Sequence, residues 1–343
     1  MTGVDSLLAE GLVAPDEADG LRQVAERYAV ALSPTVLALA KAKPDGPVAL
    51  QFVPDVRELG TTPEERVDPI GDKVHAPVKG IVHRYPDRVL LKPLHACSVY
   101  CRFCFRREQT GPGGEALTDA ELETALDYVR DRPAIWEVIL TGGDPMILSA
   151  RRLKRIVRAL DGIPHVGVIR LHTRVPVVSP ELVTPGRLAA LKATDSAVYI
   201  AIHCNHADEL THEARRAVAA LADAGIPLLG QSVLLRGVND SVEALDTLFR
   251  AMVRLRIKPY YLHHPDLAPG TAHFRTSLGE GRALVGALRG RLSGIAQPMY
   301  VLDIPGGHGK VPAGPCYLQE FDDGTWSVTD PRGNSHAYPP KSP

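Results

Sequence analysis

The chain has 343 residues, 45% of them apolar, and a formal net charge of −1 from 39 Lys and Arg against 40 Asp and Glu. That balance removes the electrostatic case for nucleic acid or an anionic membrane as partner, and no apolar run reaches membrane-spanning length. Five cysteines form no even disulfide framework, and the N-terminus lacks a basic stretch followed by an apolar run, so a cytoplasmic protein is expected.

Residues 13–40 are rich in Ala and Leu at helical spacing and lead into a proline-containing stretch at 44–69, which predicts a helical cap over residues 1–80. From Arg88 onward the pattern changes to short β-branched or aliphatic runs at 88–94, 135–141, 166–173, 197–204, 227–235 and 259–264. Helical segments lie between them: one opens with a capping box at Thr118-Asp-Ala-Glu121, and others follow at 150–160, 208–224, 241–255 and 278–292. Buried apolar strands joined by helices imply a parallel sheet. The expected fold is therefore α/β, a partial (β/α)6 barrel over residues 81–295. A further segment covers 296–343, with a strand-like piece at 299–304 and a small hairpin built from 317–321 and 326–328. No internal repeat or low-complexity tract interrupts this order.

Chemistry on such sheets gathers where strands end. Directly after the first strand comes His95-Ala-Cys-Ser-Val-Tyr-Cys-Arg-Phe-Cys-Phe-Arg-Arg107, which sets Cys97, Cys101 and Cys104 at C-x3-C-x2-C spacing. Three thiolates can hold three corners of a cubane cluster and leave the fourth iron open to a chelating ligand. Structural zinc favours four ligands in two close pairs, and buried packing thiols need no spacing at all. The spacing resembles the radical S-adenosylmethionine (SAM) signature. Cys204 and Cys316 stand alone and read as packing residues. After the second strand, Thr141-Gly-Gly-Asp-Pro145 offers a turn whose glycines would let backbone amides meet a ligand, or would serve only as a tight turn.

The cysteine loop, the Gly-Gly-Asp-Pro turn and the late Pro305-Gly-Gly-His-Gly-Lys310 segment together resemble the lysine 2,3-aminomutase family of radical-SAM enzymes. The resemblance implies a [4Fe-4S] cluster on Cys97, Cys101 and Cys104, SAM on the open iron, and pyridoxal 5'-phosphate (PLP) bonded to Lys310. It implies Arg84, Tyr85 and Arg88 of Arg-Tyr-Pro-Asp-Arg as the phosphate anchor, where guanidinium forks suit phosphate oxygens. It implies Arg106 on the substrate α-carboxylate and Asp266 with Asp303 on a distal ammonium. Two such carboxylates repel, and one gains a proton unless a cation lies between them. Gly142, Gly143, Asp144, His203 and Gln231 match positions around SAM, and Thr173 and Arg174 are further candidates to touch it.

The implied activity is conversion of L-lysine to L-β-lysine by migration of the amino group, driven by a reduced flavodoxin or ferredoxin-type electron donor. Arginine would satisfy the same two acids, and β-lysine supply for elongation factor P modification is a related role. A PLP-free radical-SAM activase acting on a protein would not need Lys310, Asp266 and Asp303. A zinc-binding module would cleave no SAM. Long family members carry a cysteine-rich C-terminal extension that binds zinc between subunits. No cysteine follows Cys316 here, so a homo-oligomer remains an expectation without that support.

Overall fold

The computed structural model describes residues 2–340, so the outermost residues of the expected 1–80 and 296–343 segments lie outside it. The Ala/Leu-rich stretch does not form one helix. After α1 (Val4–Ala9) the chain makes α2 (Ala18–Arg27) and α3 (Pro34–Ala42), then the single turn α4 (Ala49–Phe52). The break falls where Tyr28 turns extended and Ser33 starts a new helix, its hydroxyl accepting from Val36 N–H at 3.2 Å with Pro34 in the first helical position.

An antiparallel pair, β1 (Ile81–Tyr85) and β2 (Arg88–Leu94), opens the sheet. There follow α5 (Asp119–Arg130), β3 (Glu137–Gly142), α6 (Ala150–Asp161), β4 (Val168–Thr173), the short α7 (Val175–Val178), α8 (Pro185–Leu191) and β5 (Ala197–His203). Next come α9 (His212–Asp223), β6 (Leu228–Val233), α10 (Val242–Arg254), β7 (Ile257–His263), α11 (Leu278–Leu288), β8 (Met299–Asp303) and β9 (Lys310–Pro312). The predicted capping box starts α5: Thr118 Oγ1 accepts from Glu121 N–H at 3.2 Å and the Glu121 carboxylate accepts from Thr118 N–H at 2.8 Å.

Nine strands form one sheet whose spatial order is the chain order, β1 to β9. β2 to β8 are parallel, with an antiparallel strand at each edge. A sheet wound in one direction by right-handed crossovers puts its helices on one face and curls around the other. Six strand-helix units, from β2/α5 to β7/α11, give the expected partial barrel. β1 escaped the sequence reading because His83-Arg84-Tyr85 reads as a polar turn, and β8 and β9 extend the barrel sheet itself. A register shift between β6 and β7 pairs Gly230 with Pro259 but Gln231 with Tyr261. This bulge sets Tyr261 and His263 on the concave side.

One apolar core joins cap to barrel, with Leu7, Leu32 and Phe52 in the same cluster as Leu91, Leu140, Ile200 and Met252. Beyond β9 the expected hairpin gains a third strand: β10 (Leu318–Glu320), β11 (Trp326–Thr329) and β12 (Ser335–Tyr338) form an antiparallel meander. No helix among the described residues is long and apolar enough to cross a membrane.

Candidate active site

The concave side of the sheet encloses a cavity of about 640 Å³. Every residue singled out from the sequence lines it: the three cysteines, Arg84, Tyr85, Arg88, Arg106, Gly142, Gly143, Asp144, His203, Gln231, Asp266, Asp303 and Lys310. His203, Gln231, Asp303 and Lys310 reach it from strands, while the cysteines, Arg106, Gly143, Asp144 and Asp266 reach it from loops that follow strand ends.

The cap holds the cysteine loop in place. Tyr100 N–H donates to Ala31 O at 2.9 Å and Arg102 N–H to Gln51 O at 2.9 Å. Arg102 and Arg107 both pair with Glu58, which is wholly buried. Two guanidiniums on one carboxylate keep that buried charge compensated. Arg107 also donates to Gly270 O at 3.0 Å, so it is structural, and Arg106 alone of the pair faces the cavity.

The three thiols are free and share one wall with Asp144, Thr110 and Arg174. Burial pushes the Cys101 thiol up to about 11 against the pull of Arg174, whose Nη1 lies 3.1 Å from the sulfur. Burial and then Asp144 push Cys97 up as well. Thiols that resist ionisation alone need a bound cation to become thiolates. Among the described residues no three His, Cys, Asp or Glu side chains converge on a single ion. A cubane gives each thiolate its own iron, and three free thiols on one cavity wall are the donor set it takes.

The amides of the Gly142–Asp144 turn do not await a ligand: Gly143 N–H donates to Leu94 O at 2.8 Å and Asp144 N–H to Ala96 O at 2.9 Å. The glycines serve that close approach, because a Cβ on Gly143 would lie 2.0 Å from Ala96 O and one on Gly142 would lie 2.6 Å from Leu94 O. The Asp144 carboxylate accepts from Thr173 Oγ1 at 2.6 Å and from the N–H groups of Arg174 (2.7 Å), Met146 (3.0 Å) and Val175 (3.1 Å), tying the end of β3 to that of β4. Arg174 pairs with Glu209 at 2.6 Å and Gln51 at 2.5 Å besides its thiol contact.

At the other end of the strands, Arg84 and Tyr85 close β1 and Arg88 opens β2. Arg84 donates to Ile70 O at 2.6 Å and Asp72 at 3.3 Å, while its buried Nε has no partner. Arg88 lies over the Tyr85 ring at 3.8 Å and pairs with Asp87 at 2.6 Å. Tyr85 Oη accepts the Lys310 backbone N–H at 2.8 Å, tying the arginine hairpin to β9. An unsatisfied buried guanidinium nitrogen beside a phenol and a second guanidinium fits an anionic group such as phosphate.

Lys310 Nζ pairs with Asp303 and lies 3.2 Å from His263 Nδ1. Asp303 is held well below the usual carboxylate range: burial opposes ionisation, but the neighbouring His263 and then the Lys310 charge outweigh it. Asp266 goes the other way, raised to about 7 by burial and then by the Asp303 charge. The repulsion read from the sequence thus falls on one acid, which has no cation of its own. Arg106 is held by Asp72 through Nε at 2.9 Å and Nη2 at 2.8 Å. His203 packs against Phe103 with ring centres 5.7 Å apart and its Nε2 meets Asn205 Oδ1 at 3.2 Å. Gln231 touches His263 Nε2 at 3.3 Å.

Sequence reasoning missed Asp72, His172, Arg170 and His263. Alternation along β4 and β7 would have found the last three. Asp72 sits in an irregular segment with no periodic signal.

The radical SAM superfamily matches residues 91–248 of the chain. The L-lysine 2,3-aminomutase of Acetoanaerobium sticklandii is 40% identical over 305 residues, covering 89% of this chain and 73% of that protein. That of Clostridium subterminale is 40% identical over 304 residues, covering 88% and 73%. The glutamate 2,3-aminomutase of Clostridioides difficile is 35% identical over 319 residues, covering 93% and 75%. Similarity at this level over about nine-tenths of the chain makes it a member of the lysine 2,3-aminomutase family of radical-SAM proteins.

Proposed function

We propose that the protein is an L-lysine 2,3-aminomutase, an isomerase that moves the amino group of L-lysine from C2 to C3 with a [4Fe-4S] cluster, SAM and PLP. The observation that carries this reading is that the thiol trio and the Lys310 amine line one cavity, beside an acid pair of which only one member is neutralised. The cap, the barrel and the C-terminal segment would each supply part of the site: Asp72 and Glu58, the cysteine loop, and Asp303 with Lys310.

When bound, the cluster and SAM supply one-electron reduction and hydrogen-atom abstraction, and PLP supplies a conjugated electron sink. Cys97, Cys101 and Cys104 would ligate iron, and Lys310 would bond the PLP aldehyde. Arg84, Tyr85 and Arg88 would hold the phosphate. Arg106, kept in place by Asp72, would bind the substrate carboxylate in a bidentate grip. Asp266 and Asp303 would take the distal ammonium, whose charge removes their mutual repulsion. Fixing both ends of the substrate orients the carbon between them, and Ile139, Phe103 and Val233 on the cavity wall keep water away from reactive species.

A glutamate substrate would bring a third carboxylate against Asp266 and Asp303. Anaerobic turnover of reconstituted protein with lysine, arginine and glutamate, followed by product identification, tests the reading. β-Lysine as the main product supports it. β-Arginine or β-glutamate as the main product reassigns the substrate, and SAM cleavage without any amino acid product overturns the mutase.

A further inference from the structure

Lys310 Nζ is paired with the ionised carboxylate of Asp303, whereas an amine that attacks an aldehyde must be uncharged and so needs a group to take its proton. Asp303 is too weak a base to take the proton away. One other group is in reach: His263 Nδ1, 3.2 Å from Lys310 Nζ and 3.4 Å from Asp303 Oδ2.

We propose that His263 is the catalytic base that takes a proton from Lys310 Nζ when the lysine bonds PLP and returns it when the lysine is displaced; this rests on the PLP-lysine reading above. In the step an N–H bond at Nζ breaks and an N–H bond at Nδ1 forms; the electron pair freed on Nζ would bond the aldehyde carbon as the C=O π pair passes to oxygen, and that oxygen would leave as water carrying the two protons lost by Nζ, the first of them through His263. Nothing is oxidised or reduced. Asp303, beside Nδ1, accepts a hydrogen bond from the imidazolium so formed. A base at Nδ1 requires the tautomer with hydrogen on Nε2, and the Gln231 carboxamide, 3.3 Å from that nitrogen, supports it by turning its oxygen toward Nε2–H.

The groups facing His263 are consistent with a neutral ring ready to accept. Lys310 of β9 and Asp303 of β8 touch it, Asp266 lies just beyond β7, His172 of β4 and His203 of β5 face it across the cavity, and Tyr261 stacks edge-on with ring centres 5.6 Å apart. Burial and then the Lys310 charge lower the His263 value, so the ring is uncharged at neutral pH.

The test uses full-length, cluster-loaded protein without SAM or substrate. PLP is added, its attachment is stopped at intervals with borohydride, and modified Lys310 is quantified by peptide mass spectrometry from about pH 5 to 9. The wild-type rate should fall on the acid side with a midpoint below about 6.5. In His263→Gln the rate near pH 7 should drop roughly 100-fold, the inflection below about pH 6.5 should be replaced by a rate that climbs steadily with pH, and added imidazole should restore part of the rate. A variant that keeps both the wild-type rate and the acid limb overturns the proposal. A flat wild-type profile across the acid range overturns it without any variant. Absence of PLP on Lys310 at every pH instead removes the underlying cofactor reading.

Discussion

Lysine binding should depend on pH through Asp266. Its carboxyl is raised from 3.8 to about 7 because burial and the Asp303 charge both disfavour the anion, which corresponds to roughly 4 kcal/mol of lost preference for ionisation. A distal ammonium between the two acids restores that preference, so binding lysine below pH 7 must expel a proton. Affinity should therefore be flat above about pH 7 and fall tenfold per pH unit below it, reaching about 100-fold by pH 5. Asp303 is held far lower and stays ionised throughout. Calorimetry on holoenzyme without SAM measures binding with no turnover. Norleucine, which lacks the distal amine, controls for groups at the other end of the substrate and should not show the inflection. Asp303→Asn removes the like charge, and the lysine inflection should move to lower pH. A lysine affinity no more pH-dependent than that of norleucine, or an inflection unmoved in Asp303→Asn, would refute the argument.

The same acid should destabilise the empty protein. A carboxyl whose folded value exceeds its unfolded one holds an extra proton between about pH 4 and 7, so stability declines as pH rises through that window. Asp266→Asn should then melt higher than wild type at about pH 8, match it near pH 4, and gain no thermal stabilisation from lysine. Cys101→Ala should lose the cluster absorbance and SAM cleavage while keeping the fold, checked by circular dichroism. Asp72→Asn frees Arg106 and Arg84 and should raise the dissociation constants of both lysine and PLP about tenfold, whereas a change in only one would reject its double hold. Gly143→Ala forces a Cβ onto the Ala96 carbonyl and should lower iron content per chain, since neither backbone can yield without moving the cysteine loop.

Much of the site was legible because its signals are local. The spacing of Cys97, Cys101 and Cys104, the Gly-Gly-Asp-Pro turn and the glycines before Lys310 are contiguous in the sequence, and five of the six strand-helix units announced themselves by clear changes of hydrophobic period. Within 13–40 the spacing predicts helix but not the break, because Ala and Leu favour a helix whether or not Ser33-Pro34 restarts it. β1 was hidden because its second half, His83-Arg84-Tyr85, is polar and places Arg84 and Tyr85 toward the cavity.

Residue order alone thus determined the chemistry available: three thiols after the first barrel strand, an arginine hairpin, two late acids and a lysine among glycines. Which of these groups meet was decided by the curl of the sheet, which brings Lys310 on the ninth strand into the cavity shared by the cysteine loop that follows the second. The antiparallel pairing of β8 with β9 sets Asp303 against Lys310, the closure brings Asp266 beside Asp303 with no ion pair of its own, and only the packing of the cap supplies Asp72 to Arg106. Charge interactions depend on distance and burial, and neither is written in the spacing of residues along the chain.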